Sequence, residues 1–120
     1  MLYFTNSEFK CRCGCGMDIK DMDQTLTEKL DLARSIAKVP FNITSAIRCD
    51  KHNEAVGGLL VNSSHLKGYA VDIEATSSRA RYKIVYGLIK AGFNRIGIYK
   101  TFIHVDNDPL KAEGVMWNGK

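Results

Sequence analysis

Two short segments that combine histidine and aspartate constrain most strongly how this chain can fold. The first covers residues 63–72 and contains His65 and Asp72, and the second covers residues 103–106 and contains His104. Together they offer two imidazoles and a carboxylate, which can hold a zinc ion and leave its fourth position to water. Such an open site generates hydroxide near neutral pH, whereas structural zinc sites are normally closed by four protein ligands. The fold must therefore bring both segments together.

The length and composition predict one small domain around such a site. With 120 residues, 45% of them hydrophobic, the chain can bury one modest core without a partner, so we expect a single domain over residues 1–120 and a monomer. No apolar run approaches the roughly 20 residues that span a bilayer, and the N-terminus lacks the basic start and apolar stretch of a secretory signal. We expect no membrane span and synthesis in the cytoplasm.

The formal net charge of +4 is mildly basic. We interpret the Lys and Arg residues as scattered along the chain rather than massed in one segment. This pattern disfavours a nucleic-acid partner, whose binding would depend steeply on salt. A diffuse positive charge favours approach to an anionic polymer such as a bacterial cell wall.

The hydrophobic periodicity predicts two main helices. The first covers Thr25 to Val39 and ends before Pro40, which cannot continue a helix. The second covers Ser78 to Ala91 and ends at Gly92, a typical helix stop.

The remaining apolar runs predict strands at Phe41 to Ile47, Ala70 to Ala75, Arg95 to Tyr99 and Phe102 to Asp106, with a weaker candidate at Gly114 to Asn118. The short link between the third and fourth runs indicates a hairpin, and helices and strands do not alternate as regular βαβ units. We predict an α+β fold in which a small, mostly antiparallel sheet packs against the two helices.

The alternation of side chains along a strand separates a polar face from an apolar one. His104 and Asp106 share one face of their strand, as do Asp72 and Glu74, while the intervening apolar residues point the other way. The apolar face is therefore predicted to form the core and the polar face to form the site.

The spacing S-x-H-x-x-G-x-A-x-D over residues 63–72, with a later H-x-D at His104 and Asp106, resembles that of the zinc D-Ala-D-Ala carboxypeptidase family. That family shares its fold with the hedgehog signalling domain and includes bacterial and phage peptidoglycan peptidases. The cysteine-rich residues 9–16 and the run 43–58, which contains H-N-x-x-V-G-G, are similar to its small members. The resemblance covers nearly the whole chain and implies the hedgehog/DD-peptidase fold.

The resemblance implies that His65, Asp72 and His104 are the ligands of one catalytic zinc ion. For any one of these residues alone, a core or surface role would be the better interpretation. As a set, in the spacing of the family, they favour a metal site.

The resemblance also places Arg48 where a residue would bind a carboxylate or carbonyl of the substrate, with Ser63 as a second hydrogen-bonding group. A planar guanidinium can hold a carboxylate through two parallel hydrogen bonds, which suits the free C-terminus of a peptide. An ordinary surface ion pair is the alternative for Arg48. Trp117 and Tyr99 are candidates for the lining of a substrate groove, with roles in the core or in a lid as alternatives.

The general base is open. Several relatives carry an acidic residue three positions before the last zinc histidine, where this chain has Thr101. Asp106 is the nearest replacement as a catalytic base, because it shares a strand face with His104. An equally weighted alternative is that Asp106 orients a ligand or a neighbouring loop. His52 and Glu74 are reserve candidates.

The four cysteines, Cys11, Cys13, Cys15 and Cys49, allow three interpretations. In order of preference these are buried or free thiols, a disulfide formed after release from the cell, and a structural zinc site, for which C-x-C-x-C is unusually tight. No motif places a base beside one of them, so none is predicted to be catalytic.

These patterns lead to one functional hypothesis and one alternative. The hypothesis is a zinc metallopeptidase that cleaves peptidoglycan stem peptides, either as a D-Ala-D-Ala carboxypeptidase or as an L-Ala-D-Glu endopeptidase. It would act at the bacterial cell wall, and a phage lysis enzyme fits the absence of a signal. The alternative is a non-catalytic zinc-containing recognition domain of the same fold, which the missing acid at Thr101 favours.

Overall fold

A computed structural model describes residues 3–12, 14–48, 64–65 and 68–119 of the chain. The elements in these residues are helices α1 (Gln24–Ala37) and α2 (Ser78–Lys90), short 3-10 turns at Asn6–Phe9 and Ile19–Asp21, and strands β1 (Ile43–Ser45), β2 (Ala70–Glu74), β3 (Arg95–Ile98), β4 (Phe102–Asp106) and β5 (Val115–Asn118). None of these helices is long and apolar enough to cross a membrane.

Both helices have specific stop and start signals. The Asp23 side chain accepts a hydrogen bond from the first turn of α1 at 2.9 Å, and Lys38 ends that helix in the left-handed region with φ +58°. Ser77 caps the start of α2 at 3.1 Å, and Gly92, with φ +102°, follows its end. The two predicted helices are therefore confirmed, with small shifts at their ends.

The strands form one sheet in the order β1-β2-β4-β3-β5. The pairs β1–β2, β2–β4 and β3–β4 are antiparallel, and β5 runs parallel to β3 at the edge. The predicted α+β fold with a mostly antiparallel sheet is therefore confirmed, including the hairpin that joins β3 to β4. β1 is shorter than predicted, because its register with β2 shifts between Ile43 and Ser45.

The core lies between the two helices and one face of the sheet. Val71, Ile73, Ile103 and Val105 are fully buried on that face. The helices approach each other closely at Gly87, where an added Cβ would lie 2.5 Å from the carbonyl oxygen of Ala33. The alternation predicted from the sequence therefore holds, and the opposite face of the sheet is left for polar side chains.

Candidate metal centre

The pairing of β2 with β4 sets the centre of the site. Asp72 lies directly opposite His104 in this antiparallel pair. His65 lies in the turn before β2, and Gly68 lets the chain enter the strand with φ +77°. Any side chain at Gly68 would also collide with the backbone carbonyl of Asp21. Two candidate ligands are thus held by the sheet and the third by a tight turn.

The three predicted ligand side chains converge on one point. Asp72 Oδ1 lies 3.2 Å from His65 Nε2 and 3.0 Å from His104 Nδ1. One ligand atom from each residue lies within 4.8 Å of the other two. His65 and Asp72 are buried, with 4% and 6% of their surface exposed.

Hydrogen bonds behind the site orient both imidazoles. His65 Nδ1 lies 2.8 Å from the carbonyl oxygen of Ala46. A carbonyl only accepts hydrogen bonds, so Nδ1 carries the hydrogen and Nε2 presents its lone pair to Asp72. His104 Nε2 lies 2.7 Å from Asp106 Oδ2, which directs His104 Nδ1 to the same point. The bonds to Ala46 and Asp106 are the kind of outer contact that fixes metal-binding histidines.

The donor atoms fit a zinc ion. When both imidazoles are neutral, their two lone pairs face the carboxylate of Asp72 with no hydrogen between them, and a cation or a proton is needed to relieve the repulsion. Two imidazoles and one carboxylate are a usual donor set for zinc. Among the described residues this group has three members, which is the number of protein ligands in a catalytic site.

In the metal-free protein a proton is favoured at the same point. Burial opposes a charge on Asp72, but the contacts of its carboxylate with His104 and His65 outweigh that effect and hold the pKa of Asp72 well below its usual range. Burial alone would lower the pKa of His104, yet its hydrogen bonds to Asp106 and Asp72 raise that pKa above the ordinary 6.5. A metal ion at this site must therefore compete with a proton on His104.

Zinc affinity should consequently fall as the pH is lowered. The raised pKa of His104 stabilises the metal-free protein fully below about pH 6.5, and this contribution is lost as the pH rises through the raised value. Because zinc must displace this proton, we expect a loss of about tenfold in affinity per pH unit below that value. Competition with a chromophoric chelator from pH 5.5 to 8 measures the zinc affinity as a function of pH. An affinity that does not change with pH over this range would contradict the assignment.

Asp106 is almost fully buried, and both of its oxygens are engaged. Oδ2 accepts from His104 Nε2, and Oδ1 accepts from Arg95 Nε at 2.7 Å and from the backbone N–H of Asp108 at 3.2 Å. Burial raises its pKa, but hydrogen bonds from His104 and Arg95 outweigh this effect and lower it. The geometry favours the orienting role, because a general base needs access to a substrate proton. The catalytic role stays a prediction.

Arg48 lies beside the candidate metal ligands. Its Nη2 is 3.5 Å from Asp72 Oδ2, its Nε donates to Ser45 Oγ at 3.1 Å, and its side chain is 14% exposed. Burial lowers the pKa of the guanidinium, and the nearby Asp72 offsets part of that effect. Arg48 is thus part of the site rather than of an open surface. Ser63, the other predicted substrate-binding residue, lies outside the described residues, as does His52.

An aromatic side chain lies along one side of His104. The Trp117 ring centre is 5.7 Å from that of His104, and Trp117 Nε1 donates to Tyr99 Oη at 3.2 Å. Gly97 lies between His104 and Trp117 in the sheet, and an added Cβ there would lie 2.6 Å from the indole nitrogen. The bare backbone at Gly97 lets the indole lie beside the site.

Glu74, a reserve candidate for the general base, lies exposed at the end of β2, opposite Phe102.

A second polar cluster, which the sequence did not predict, lies next to His65. Ser64 Oγ donates to Asp108 Oδ2 at 3.0 Å, and Lys111 Nζ donates to Ser64 Oγ at 2.8 Å. Ser64 and Asp108 are both buried. These bonds tie the turn that carries His65 to the segment after β4. The second aspartate after His104, Asp108, was the feature of the sequence that could have indicated this cluster. Nothing in the spacing indicated that Ser64 would be the partner of Asp108.

The cysteines fall only partly within the described residues. Cys11 is buried and Cys15 is exposed, while Cys13 and Cys49 lie outside the described residues. The predictions for the four cysteines therefore stay open.

The fold and the site together define a class of protein. A small α+β domain that brings two histidines and an aspartate to the polar face of its sheet has the ligand set of a zinc hydrolase. The sequence matches the Peptidase M15 family over residues 2–106, a range that contains all three candidate ligands, Arg48 and Asp106. The chain belongs to this family, that of the zinc D-Ala-D-Ala carboxypeptidases, which are zinc-dependent metallopeptidases. A comparison with curated proteins gave no match.

Proposed function

We propose that this protein is a zinc-dependent peptidase that hydrolyses the stem peptides of peptidoglycan. The observation that carries the proposal is the convergence of His65 Nε2, His104 Nδ1 and Asp72 Oδ1 in a chain of the M15 family. The bond cleaved would be that of a D-Ala-D-Ala carboxypeptidase or that of an L-Ala-D-Glu endopeptidase. Action at the cell wall, as in a phage lysis enzyme, is part of the same proposal.

The residues around the site would have three different roles: metal binding, orientation of a ligand and substrate binding. His65, Asp72 and His104 would hold a zinc ion, which when bound would supply a Lewis acid that polarises the scissile carbonyl and lowers the pKa of water. Asp106 holds the imidazole of His104 so that its Nδ1 points to the place where the three donor atoms converge. Arg48 lies close enough to Asp72 to place a substrate carboxylate at the site.

Two carboxylates near the site are candidates for the proton acceptor. Thr101 cannot serve as a base, and the oxygens of Asp106 are engaged by His104 and Arg95. Glu74 is exposed on the strand that carries Asp72, and alternation puts both side chains on one face. We therefore keep Glu74 as a candidate base beside Asp106.

The direct test is mass spectrometry of muropeptides after incubation with zinc-loaded and with chelated protein. We expect new fragments with the loaded protein alone. Release of D-Ala would assign the carboxypeptidase, and separation of L-Ala from D-Glu would assign the endopeptidase. Intact muropeptides in both samples would contradict the proposal.

Arg48→Ala should raise KM or lower kcat/KM on stem peptides while zinc stays bound. A partly buried guanidinium that pairs with a substrate carboxylate contributes charge-assisted hydrogen bonds, and we expect a loss of about 10–100-fold in kcat/KM. Arg48→Lys is the matched control, since it keeps the charge and removes the planar pair of donors. Unchanged kinetics in the alanine variant, with zinc retained, would remove Arg48 from the substrate site.

A zinc-containing recognition domain is the second candidate. Two observations favour it: Thr101 occupies the position at which relatives carry an acid, and Asp106 is buried with both oxygens engaged. Zinc content does not separate the two candidates. Binding of muropeptides without cleavage by the zinc-loaded protein would select the recognition domain.

A further inference from the structure

Helix α2 carries the whole positive surplus of the chain. Four of the 17 Lys and Arg residues lie between Ser78 and Lys90, and none of the 13 Asp and Glu residues does. The rest of the chain therefore holds 13 residues of each sign. Basic residues are spread along the sequence, but the formal charges outside α2 sum to zero, whereas α2 carries four positive charges and no negative one.

Three of these cations lie on one exposed side of α2. Arg79, Lys83 and Lys90 are exposed, and their spacing of four and seven residues puts them on the same side of a helix. Arg81 points elsewhere and donates to the carbonyl oxygen of Lys100 at 2.9 Å. The exposed side of α2 is thus a line of positive charge without a compensating carboxylate on the helix.

An apolar strip runs beside this line of charge. Tyr82, Tyr86 and Ile89 follow each other at helical spacing with 72%, 45% and 51% of their surface exposed. The two tyrosine rings stack with their centres 6.5 Å apart, and Lys90 Nζ lies 5.8 Å from the centre of the Tyr86 ring. Exposed single apolar residues are common, but three in one strip next to three cations form a surface of defined chemistry.

The apolar strip continues onto the edge of the sheet. Met116 on β5 is 54% exposed, and it pairs with Ile96, whose side chain lies in the core on the helix side of the sheet. A shallow cavity of about 260 Å³ lies between Ile89, Ile96 and Met116. The exposed apolar area therefore spans the gap between α2 and β5 instead of ending at the helix.

This surface is separate from the metal centre. The buried side of α2 packs on α1 and on the apolar face of the sheet, through residues such as Ile84 and Leu88. The candidate ligands Asp72 and His104 lie on the opposite face of the same sheet. The outer side of α2 therefore points away from the site and does not line a substrate groove.

We propose that the outer side of α2 and the adjoining edge of β5 dock onto the surface of an anionic lipid bilayer. Lipid phosphates would pair with Arg79, Lys83 and Lys90, and the ring and aliphatic side chains beside them would enter the headgroup layer. A soluble polyanion would use the cations and leave Ile89 and Met116 in water. A lipid bilayer, which is charged at its surface and apolar beneath, can bind the cations and bury the apolar side chains at the same time.

The proposal goes beyond peptide hydrolysis and does not depend on it. Docked in this way, the protein would lie on the bilayer, with its metal centre turned to the opposite side. The peptidase site would then face the polymer layer outside a membrane.

Co-sedimentation of the zinc-loaded protein with vesicles tests the proposal. We expect binding to vesicles of phosphatidylglycerol and phosphatidylcholine and none to phosphatidylcholine alone. Each cation near an anionic membrane contributes about fivefold in affinity, so joint replacement Arg79→Gln, Lys83→Gln and Lys90→Gln should weaken binding by roughly a hundredfold.

Two further variants separate lipid docking from simple charge attraction. Lys10→Gln, Lys20→Gln and Lys38→Gln together remove the same charge from exposed positions outside α2 and should retain most of the binding. Tyr82→Ser with Ile89→Ser keeps every cation and should lose vesicle binding while it still binds heparin, a soluble polyanion. Circular dichroism checks that each variant is folded.

Three results would overturn the proposal: absence of wild-type binding to anionic vesicles, equal weakening by the two charge variants, and unchanged vesicle binding by the serine variant. The last two would point to a general attraction for polyanions. Hydrolysis of soluble muropeptides by the glutamine variant of α2 is measured in parallel. Because that assay needs no membrane, failure of docking and failure of the proposed peptidase function are distinguishable.

Discussion

His104→Ala protein should purify folded but without stoichiometric zinc, and His65→Ala should behave in the same way. Each substitution removes one of three donors that lie within 4.8 Å of one another, and two remaining donors do not form a stable zinc site. Removal of a residue that hydrogen-bonds to a metal ligand already lowers metal affinity or activity by about 10–100-fold. Removal of a ligand itself should therefore lower zinc affinity by more than this. Elemental analysis after dialysis measures the bound metal.

The control for these variants is Thr101→Ala, in the same β-hairpin as His104 and exposed to solvent. It should keep full zinc occupancy. Circular dichroism separates loss of metal from loss of fold, because we expect the histidine variants to keep the sheet and the helices. Full zinc occupancy in both histidine variants would refute the metal centre.

Asp106→Asn should weaken zinc binding by about 10–100-fold, with an activity that excess zinc partly restores. The carboxylate accepts from His104 Nε2 at 2.7 Å and from Arg95 Nε at the same distance. An amide of nearly the same size keeps the packing but can present an N–H to one of these donors, which disturbs the orientation of the imidazole. Zinc titration and steady-state kinetics with added zinc measure the two effects.

Asp108→Asn is the matched control for Asp106→Asn. Asp108 is also buried, two residues after β4, and its carboxylate accepts from Ser64 Oγ and from the backbone N–H of Leu110 and lies 3.9 Å from Lys111 Nζ. If Asp106→Asn lowers kcat and leaves zinc affinity unchanged, the orienting role is wrong and the general-base role is favoured. The two roles that the sequence left equally open are thus separated by one titration.

Local patterns predicted the parts of the fold that depend on neighbouring residues. The helical spacing in residues 25–39 and 78–91 and the alternation in residues 70–75 and 102–106 were sufficient for both helices and two strands, because each has a periodicity of its own. The shared face of His104 and Asp106 followed from the same alternation.

Contacts between distant segments were not accessible in this way. The register that puts Asp72 opposite His104 depends on the pairing of two strands about 30 residues apart in sequence. The shortened β1 and the parallel pairing of β5 with β3 also depend on partners elsewhere. The bonds from Arg95 to Asp106 and from Ser64 to Asp108 join residues that no spacing rule connects.

The location of the net charge also could not be predicted from the sequence alone. Composition determines a surplus of +4, but only the bounds of α2 show that this helix carries four cations and no carboxylate. The side chains that face solvent on that helix then follow from its packing against α1 and the sheet.

The paired positions of Asp72 and His104 have a consequence for how the protein gains and loses its ion. Neighbouring backbones in a hydrogen-bonded ladder keep these two donors at a set separation whether or not a metal is bound, and only His65 is supplied by a turn. Removal of the ion by a chelator should leave the donor atoms of Asp72 and His104 in place. Because the bonds from His65 to Ala46 and from Ser64 to Asp108 already hold the turn in place without a metal, reloading should require no renewed folding of the chain.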